Sequence, residues 1–127
     1  MIILNEAQVQ ALHHKMALQS GGSEGLRDYG LLSSAVASVQ AGFGGVEFYP
    51  TLEEKAARLG YALVSNHAFV DGNKRIGVLA MLVMLKVNGL ELTCHNPDVI
   101  KIGLSLADGS MDEPALLQWV REHTKKA

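Results

Sequence analysis

Polar and apolar positions along the chain fall into blocks at helical spacing. After the apolar start, Asn5 stands where an N-cap would stand. Val9, Leu12 and Met16 then line one face up to Gly21-Gly22, a C-terminal signal. The glycines of SGGSEGLRDYG, residues 20–30, predict a loop. A second helix is predicted over about 31–40, with Leu32, Val36 and Val39 on one face. In AGFGGVEFYP, residues 41–50, Val46, Phe48 and Tyr49 favour an extended backbone and Gly42, Gly44 and Gly45 a turn. That stretch predicts a short hairpin or flap, closed by Pro50. Thr51 and Glu54 fit a capping box ahead of Leu52, Ala56, Leu59 and Leu63, so a third helix should run to about Asn66. The uncharged run IGVLAMLVML, residues 76–85, is apolar on nearly all sides and ends at Asn88-Gly89. Such a helix must be central and buried. Asn96-Pro97 should start a fifth helix that ends at Asp108-Gly109. Ser110 and Glu113 should cap a sixth, which carries Leu116, Leu117, Trp119 and Val120. The fold class is therefore all-α: a compact helical bundle with a short β-hairpin flap, in a single domain over residues 1–127.

Composition changes this picture little. Apolar residues make up 48% and charged residues 19%, the balance of a chain that folds rather than stays disordered. A net charge of -2 argues against direct nucleic-acid binding. The single cysteine, Cys94, can form no internal disulfide. The apolar start is short and has no basic residue before it, unlike a signal peptide. The run at 76–85 is about half of the roughly 20 residues that span a bilayer. A cytoplasmic protein away from membranes is expected. His13-His14 and Cys94-His95 are adjacent pairs without ligand spacing, so no metal site is expected there. Tyr29 and Tyr61 read as core or rim residues, and Met81, Met84 and Leu85 as core.

The densest chemistry is HAFVDGNKR, His67 to Arg75, directly before the apolar helix. A buried central helix holds its N-terminus in a fixed place. There, unpaired N–H groups and the positive end of the dipole bind anions. Gly72 lets a ligand approach the backbone, and Asn73 can cap the helix and donate hydrogen bonds. Lys74 and Arg75 oppose the dipole of their own helix, which makes sense if a phosphate chain binds. Asp71 beside phosphates calls for a divalent cation such as Mg²⁺ between them. His67, at the end of the preceding helix, can take a proton from an incoming hydroxyl. A base, a metal carboxylate and an anion cradle are the equipment for transferring a phosphorus group from a nucleotide. Taken singly, each of these residues is more often structural; their joint spacing at a buried helix start makes the case.

These residues resemble the Fic/Doc signature, His-x-Phe-x-Asp/Glu-Gly-Asn-Gly/Lys-Arg, met at His67, Phe69, Asp71, Gly72, Asn73, Lys74 and Arg75. GLRDYGLL (25–32), YPTLEEKAA (49–57) and NGLEL (88–92) are similar to the death-on-curing (Doc) toxin branch, so the likeness covers roughly residues 1–125. The resemblance implies a Fic-like helical bundle with a flap. It assigns the general base to His67, the Mg²⁺-linked carboxylate to Asp71, phosphate binding to Gly72, Asn73, Lys74 and Arg75, and a buried anchor to Phe69. The flap, about 42–49 with Val46, Phe48 and Tyr49, resembles an edge that aligns a target segment by strand addition. Adenylyl-transferring members usually carry glycine at the position of Lys74 and a second arginine at that of Val78; Doc-type toxins share both departures. The resemblance thus implies a toxin of a type II toxin–antitoxin pair. It would move the γ-phosphate of ATP to a Ser/Thr hydroxyl of a translation protein, elongation factor Tu, and halt protein synthesis. Two alternatives remain open: AMP transfer from ATP to a protein hydroxyl, and a non-catalytic nucleotide- or protein-binding module. The family's self-inhibitory pattern, Ser/Thr-x-x-x-Glu-Gly/Asn on a helix, is matched in letters by Ser20 to Gly25. Gly21-Gly22 at its centre are poor helix formers, so the match reads as chance. A cognate antitoxin with a helical segment over the cleft is expected instead.

Overall fold

The computed structural model describes residues 1–23, 25–93 and 95–126. Its centre is α4 (Asn73–Val87), which carries the uncharged run and whose Ile76, Ala80, Met81, Met84 and Leu85 are completely buried. Burying five such side chains contributes roughly 1.5–3 kcal/mol each for the large ones. That gain holds the start of α4 in place.

The main partner of α4 is α3 (Leu52–Asn66). The two helices meet at Gly60 and Gly77, both buried. A Cβ on Gly77 would stand 2.5 Å from Val64 Cγ2 and 2.8 Å from the Gly60 carbonyl oxygen. The backbones approach that closely only because neither glycine carries a side chain. α1 (Glu6–Ser20) and α5 (Asn96–Ala107) also pack on α4, while α2 (Tyr29–Ser38) and α6 (Glu113–Glu122) pack on α3. One apolar cluster runs from Leu4 to Val120. The architecture is mostly helical with two short antiparallel strand pairs, in agreement with the all-α reading.

The locally encoded caps form as expected. Asn5 Oδ1 accepts from the Gln8 N–H (2.8 Å) and Gln8 Oε1 from the Asn5 N–H (2.9 Å). Thr51 and Glu54 exchange the same pair of bonds, at 3.2 and 3.3 Å. Other boundaries shift. α2 starts at Tyr29 because Asp28 Oδ1 accepts from the Leu31 N–H (3.0 Å). α6 is capped by Asp112, which accepts from the Ala115 N–H (2.9 Å), and not by Ser110. Ser110 instead donates its N–H to Asp108 Oδ1 (2.8 Å), and Glu113 is paired with Arg58. A carboxylate nearer the helix outcompetes a hydroxyl further out.

The flap is present as β1 (Gly42–Phe43) paired antiparallel with β2 (Val46–Glu47), in register Gly42↔Glu47. Lys55, on α3 and 3% exposed, tethers it: Nζ donates to Glu47 Oε1 at 2.8 Å and to the Val39 carbonyl at 3.4 Å. A second antiparallel pair joins β3 (Leu90–Leu92) to β4 (Thr124–Lys126) and was not expected. Three-residue strands of mixed polarity carry no period of their own, and their pairing spans most of the second half of the chain. No helix among the described residues is long and apolar enough to cross a membrane.

Candidate active site

The motif loop joins α3 to α4. His67 is the C-cap of α3, with φ 52° and ψ 48°; among the described residues it is the only non-glycine with positive φ. Its imidazole is exposed, and Nδ1 lies 3.2 Å from the Ser65 carbonyl oxygen. A carbonyl can only accept, so Nδ1 carries the hydrogen in this contact. The Nε2 lone pair is then left to accept a proton.

The segment between α1 and α2 straps the loop down. The Arg27 guanidinium donates to the His67 carbonyl through Nε (2.8 Å) and Nη2 (2.5 Å). The Ala68 carbonyl accepts from the N–H groups of Arg27 (2.8 Å) and Asp28 (3.0 Å), and the Val70 N–H donates to Gly25 O (3.1 Å). Leu26 and Phe69 form an isolated antiparallel bridge. Phe69 is 3% exposed and its ring stacks on His13, centroids 3.9 Å apart. His13, also buried, donates from Nε2 to the Asp71 carbonyl at 2.7 Å.

Asn73 does not cap α4. It is the first helical residue, and its side chain clamps Phe69 by accepting from that N–H and donating to that carbonyl, both at 3.0 Å. The N-cap is Gly72, left-handed at φ 76°, and no side chain of the described residues caps the first turn. A Cβ on Gly72 would meet Met16 Cε at 2.9 Å. The Asp71 carboxylate is exposed; Oδ1 accepts from the Gly72 N–H (2.8 Å) and Oδ2 from the Ser23 N–H (3.4 Å).

The structure brings Asp71, Gly72 and Arg75 to one narrow recess, about 10 Å³, bordered by Ser20, Gly22 and Ser23. That is room for about one water-sized particle. The recess is too small to enclose a phosphate group, and it lies beside the first turn of α4. Lys74 and Arg75 are exposed there and also border a groove of about 790 Å³ between α1, α4 and α5. Leu12, Met16, Leu79, Leu82 and Leu104 give the groove its apolar lining, and Lys15 adds a third cation. Val78 is 5% exposed and faces α5, so the position of a second family arginine is apolar packing here. His67 lines neither the recess nor the groove.

On the flap, Val46 and Phe48 are exposed, as is Phe43 on the other strand. Tyr49 is half-buried, with the Arg58 guanidinium 5.6 Å above its ring. α1 ends at Ser20, Gly21 is its left-handed C-cap, and Gly22, Ser23 and Gly25 are not helical. Glu24 and Cys94 lie outside the described residues. Among the described residues no three His, Cys, Asp or Glu side chains group as a metal site. His13 and Arg27 were missed as parts of the site. A histidine on the buried face of α1 was a faint signal for the first; an arginine in a glycine-rich loop gave none for the second.

A helical bundle with this loop at the head of its central helix is the architecture of a known family of nucleotide-dependent enzymes. The chain belongs to the Fic/DOC family, whose model matches residues 3–85. Within it the chain is similar to Doc proteins. It is 51% identical over 72 residues to Toxin Doc of Mycolicibacterium smegmatis, covering 57% of this chain and 55% of that protein. It is 25% identical over 118 residues to Protein kinase doc of Escherichia phage P1, covering 93% and 92%. The chain thus matches just over half the length of the first relative.

Proposed function

We propose that this protein is a toxin of the Doc kind, a protein kinase that moves the γ-phosphate of ATP to a Ser or Thr hydroxyl of a translation protein and so halts protein synthesis. Elongation factor Tu is the target the resemblance implies. The observation that carries the reading is His67, an exposed residue whose Nδ1 contacts the Ser65 carbonyl, which leaves the Nε2 lone pair to act as the base. The target hydroxyl oxygen attacks the γ-phosphorus while Nε2 takes its proton; the bond to the β,γ-bridging oxygen breaks and ADP leaves. The first turn of α4, with Gly72, Asn73, Lys74 and Arg75, holds the phosphates. Asp71 fits an ion carried in on the nucleotide: one exposed carboxylate beside a water-sized recess, with no cluster of protein ligands among the described residues. Mg²⁺, if held by Asp71, would supply positive charge that offsets that of the phosphates. The names of both relatives support the reading, one as a toxin and one as a kinase. We read the whole chain, 1–127, as one working unit in the cytoplasm, with Val46, Phe48 and Tyr49 of the flap docking the target.

The test is the position of the label. With cell extract, ATP labelled at the γ-phosphate is expected to label one protein band, and ATP labelled at the α-phosphate none. Label from the α position would establish AMP transfer instead. Absence of label from either would favour a non-catalytic binding module.

The groove between α1, α4 and α5 is where we place an antitoxin segment. Its apolar floor suits an amphipathic helix, and Lys15, Lys74 and Arg75 suit an acidic residue on that helix. Leu104 is half-exposed on the α5 side. Leu104→Glu is expected to weaken binding of the antitoxin segment by about tenfold or more, through a desolvated like-for-unlike mismatch worth some 1.4 kcal/mol or more. Transfer of γ-label should be unchanged. Parental affinity, read by calorimetric titration, would place the antitoxin elsewhere, on the flap.

A further inference from the structure

We propose that Arg27 is a positioning residue for the His67 base, acting through the peptide carbonyl of His67 and not through its ring. The inference rests on reading His67 as the base. His67 ends α3 in the left-handed conformation usually given to glycine, the only non-glycine among the described residues to do so. A residue with a Cβ leaves that conformation unless its surroundings hold it. The peptide carbonyl of His67 is taken up by a guanidinium. Nε and Nη2 of Arg27 both donate to the His67 carbonyl oxygen, at 2.8 and 2.5 Å.

The fork is itself anchored. The Arg27 N–H donates to the next carbonyl, that of Ala68, at 2.8 Å, and Leu26 beside it bridges to Phe69. Arg27 thus grips two consecutive carbonyls of the motif loop from a segment 40 residues earlier. The ring of His67 has a weaker constraint, the 3.2 Å contact from Nδ1 to Ser65. Relaxing the peptide would swing the Cα–Cβ bond and move Nε2 away from any hydroxyl aligned with the phosphate. Misplacement on that scale acts on the chemical step and leaves nucleotide binding alone.

Two other roles make different predictions. A plain loop staple would lower the melting temperature without changing the rate per folded molecule. A phosphate contact would raise KM for ATP. The experiment compares the parent with Arg27→Ala, Arg27→Lys and His67→Ala, using γ-labelled ATP and corrected for folded fraction. Arg27→Ala is expected to lower kcat by about 10- to 100-fold with KM for ATP within about twofold. Arg27→Lys, which keeps the charge and loses the fork, should fall between. Millimolar guanidinium should restore part of the rate of Arg27→Ala and none of His67→Ala. Independently of activity, the Cα shift and N–H/Hα coupling of His67, read by NMR, should leave their left-handed values in Arg27→Ala. A parental kcat in folded Arg27→Ala, or in Arg27→Lys should the alanine variant not fold, overturns the proposal. So does a loss confined to KM, or an unchanged His67 backbone signature. If His67→Ala itself keeps the parental rate, the base assignment falls instead.

Discussion

His67→Ala is expected to lose transfer of the γ-phosphate by about 10²- to 10⁴-fold, the usual contribution of a positioned general base. The expectation comes from the tautomer, since Nδ1 is committed to the Ser65 carbonyl and Nε2 is the nitrogen left to take a proton. A simple loss of activity would not separate the base from the backbone, because His67 also holds a left-handed C-cap at φ 52°. Two further substitutions separate them. Asn tolerates the left-handed region and Gly has no Cβ to strain there, so both should keep the loop or stabilise it by up to about 1 kcal/mol. His67→Asn and His67→Gly should therefore melt at or above the parental temperature and still be inactive. If either retains more than about a tenth of the parental kcat, the ring is not the base. If both unfold, the exposed imidazole has a structural part that its contacts do not reveal.

Gly77→Ala is expected to destabilise the fold by roughly 1–2 kcal/mol, although alanine is the better helix former. The added Cβ would stand 2.5 Å from Val64 Cγ2 and 2.8 Å from the Gly60 carbonyl oxygen. Overpacking of this kind costs typically about 1–3 kcal/mol, while the gain in helix propensity is about 0.5–1 kcal/mol. Overpacking wins because one of the obstructing atoms is backbone of α3 and cannot rotate away. Gly103, on α5 and equally buried, is the control. Its nearest obstruction to a Cβ is Val78 Cγ2 at 3.6 Å, an ordinary contact. Gly103→Ala should therefore stabilise by about 0.5–1 kcal/mol. For a chain of this length about 1 kcal/mol corresponds to roughly 3–6 °C in Tm. The two variants should move Tm in opposite directions in a thermal melt. A rise for Gly77→Ala would mean that α3 and α4 can separate without penalty. Because the first turn of α4 is the proposed phosphate cradle, Gly77→Ala should also weaken ATP binding more than Gly103→Ala does.

How much of this was legible in the chain itself follows from the range of each interaction. The Asn5 cap and the Thr51–Glu54 capping box act within one helical turn, so their residue types suffice to predict the starts of α1 and α3. The central place of α4 follows from a run of ten uncharged positions that no exposed helix could carry. The motif residues are contiguous, which makes His67 to Arg75 readable as a set. What lies across the chain was decided only by the tertiary structure. Asn73 looks like a cap, yet it clamps Phe69 because Gly72 turns the backbone left-handed and takes the capping position. The His13 bond to the Asp71 carbonyl joins residues 58 apart, and the Arg27 bond to the His67 carbonyl joins residues 40 apart. The β3–β4 pair is likewise made by two segments with no strand period of their own. A helix start is encoded within four residues, because its hydrogen bonds close within a turn. A loop has no such internal ladder, so its backbone groups are satisfied by whatever the packed helices bring alongside.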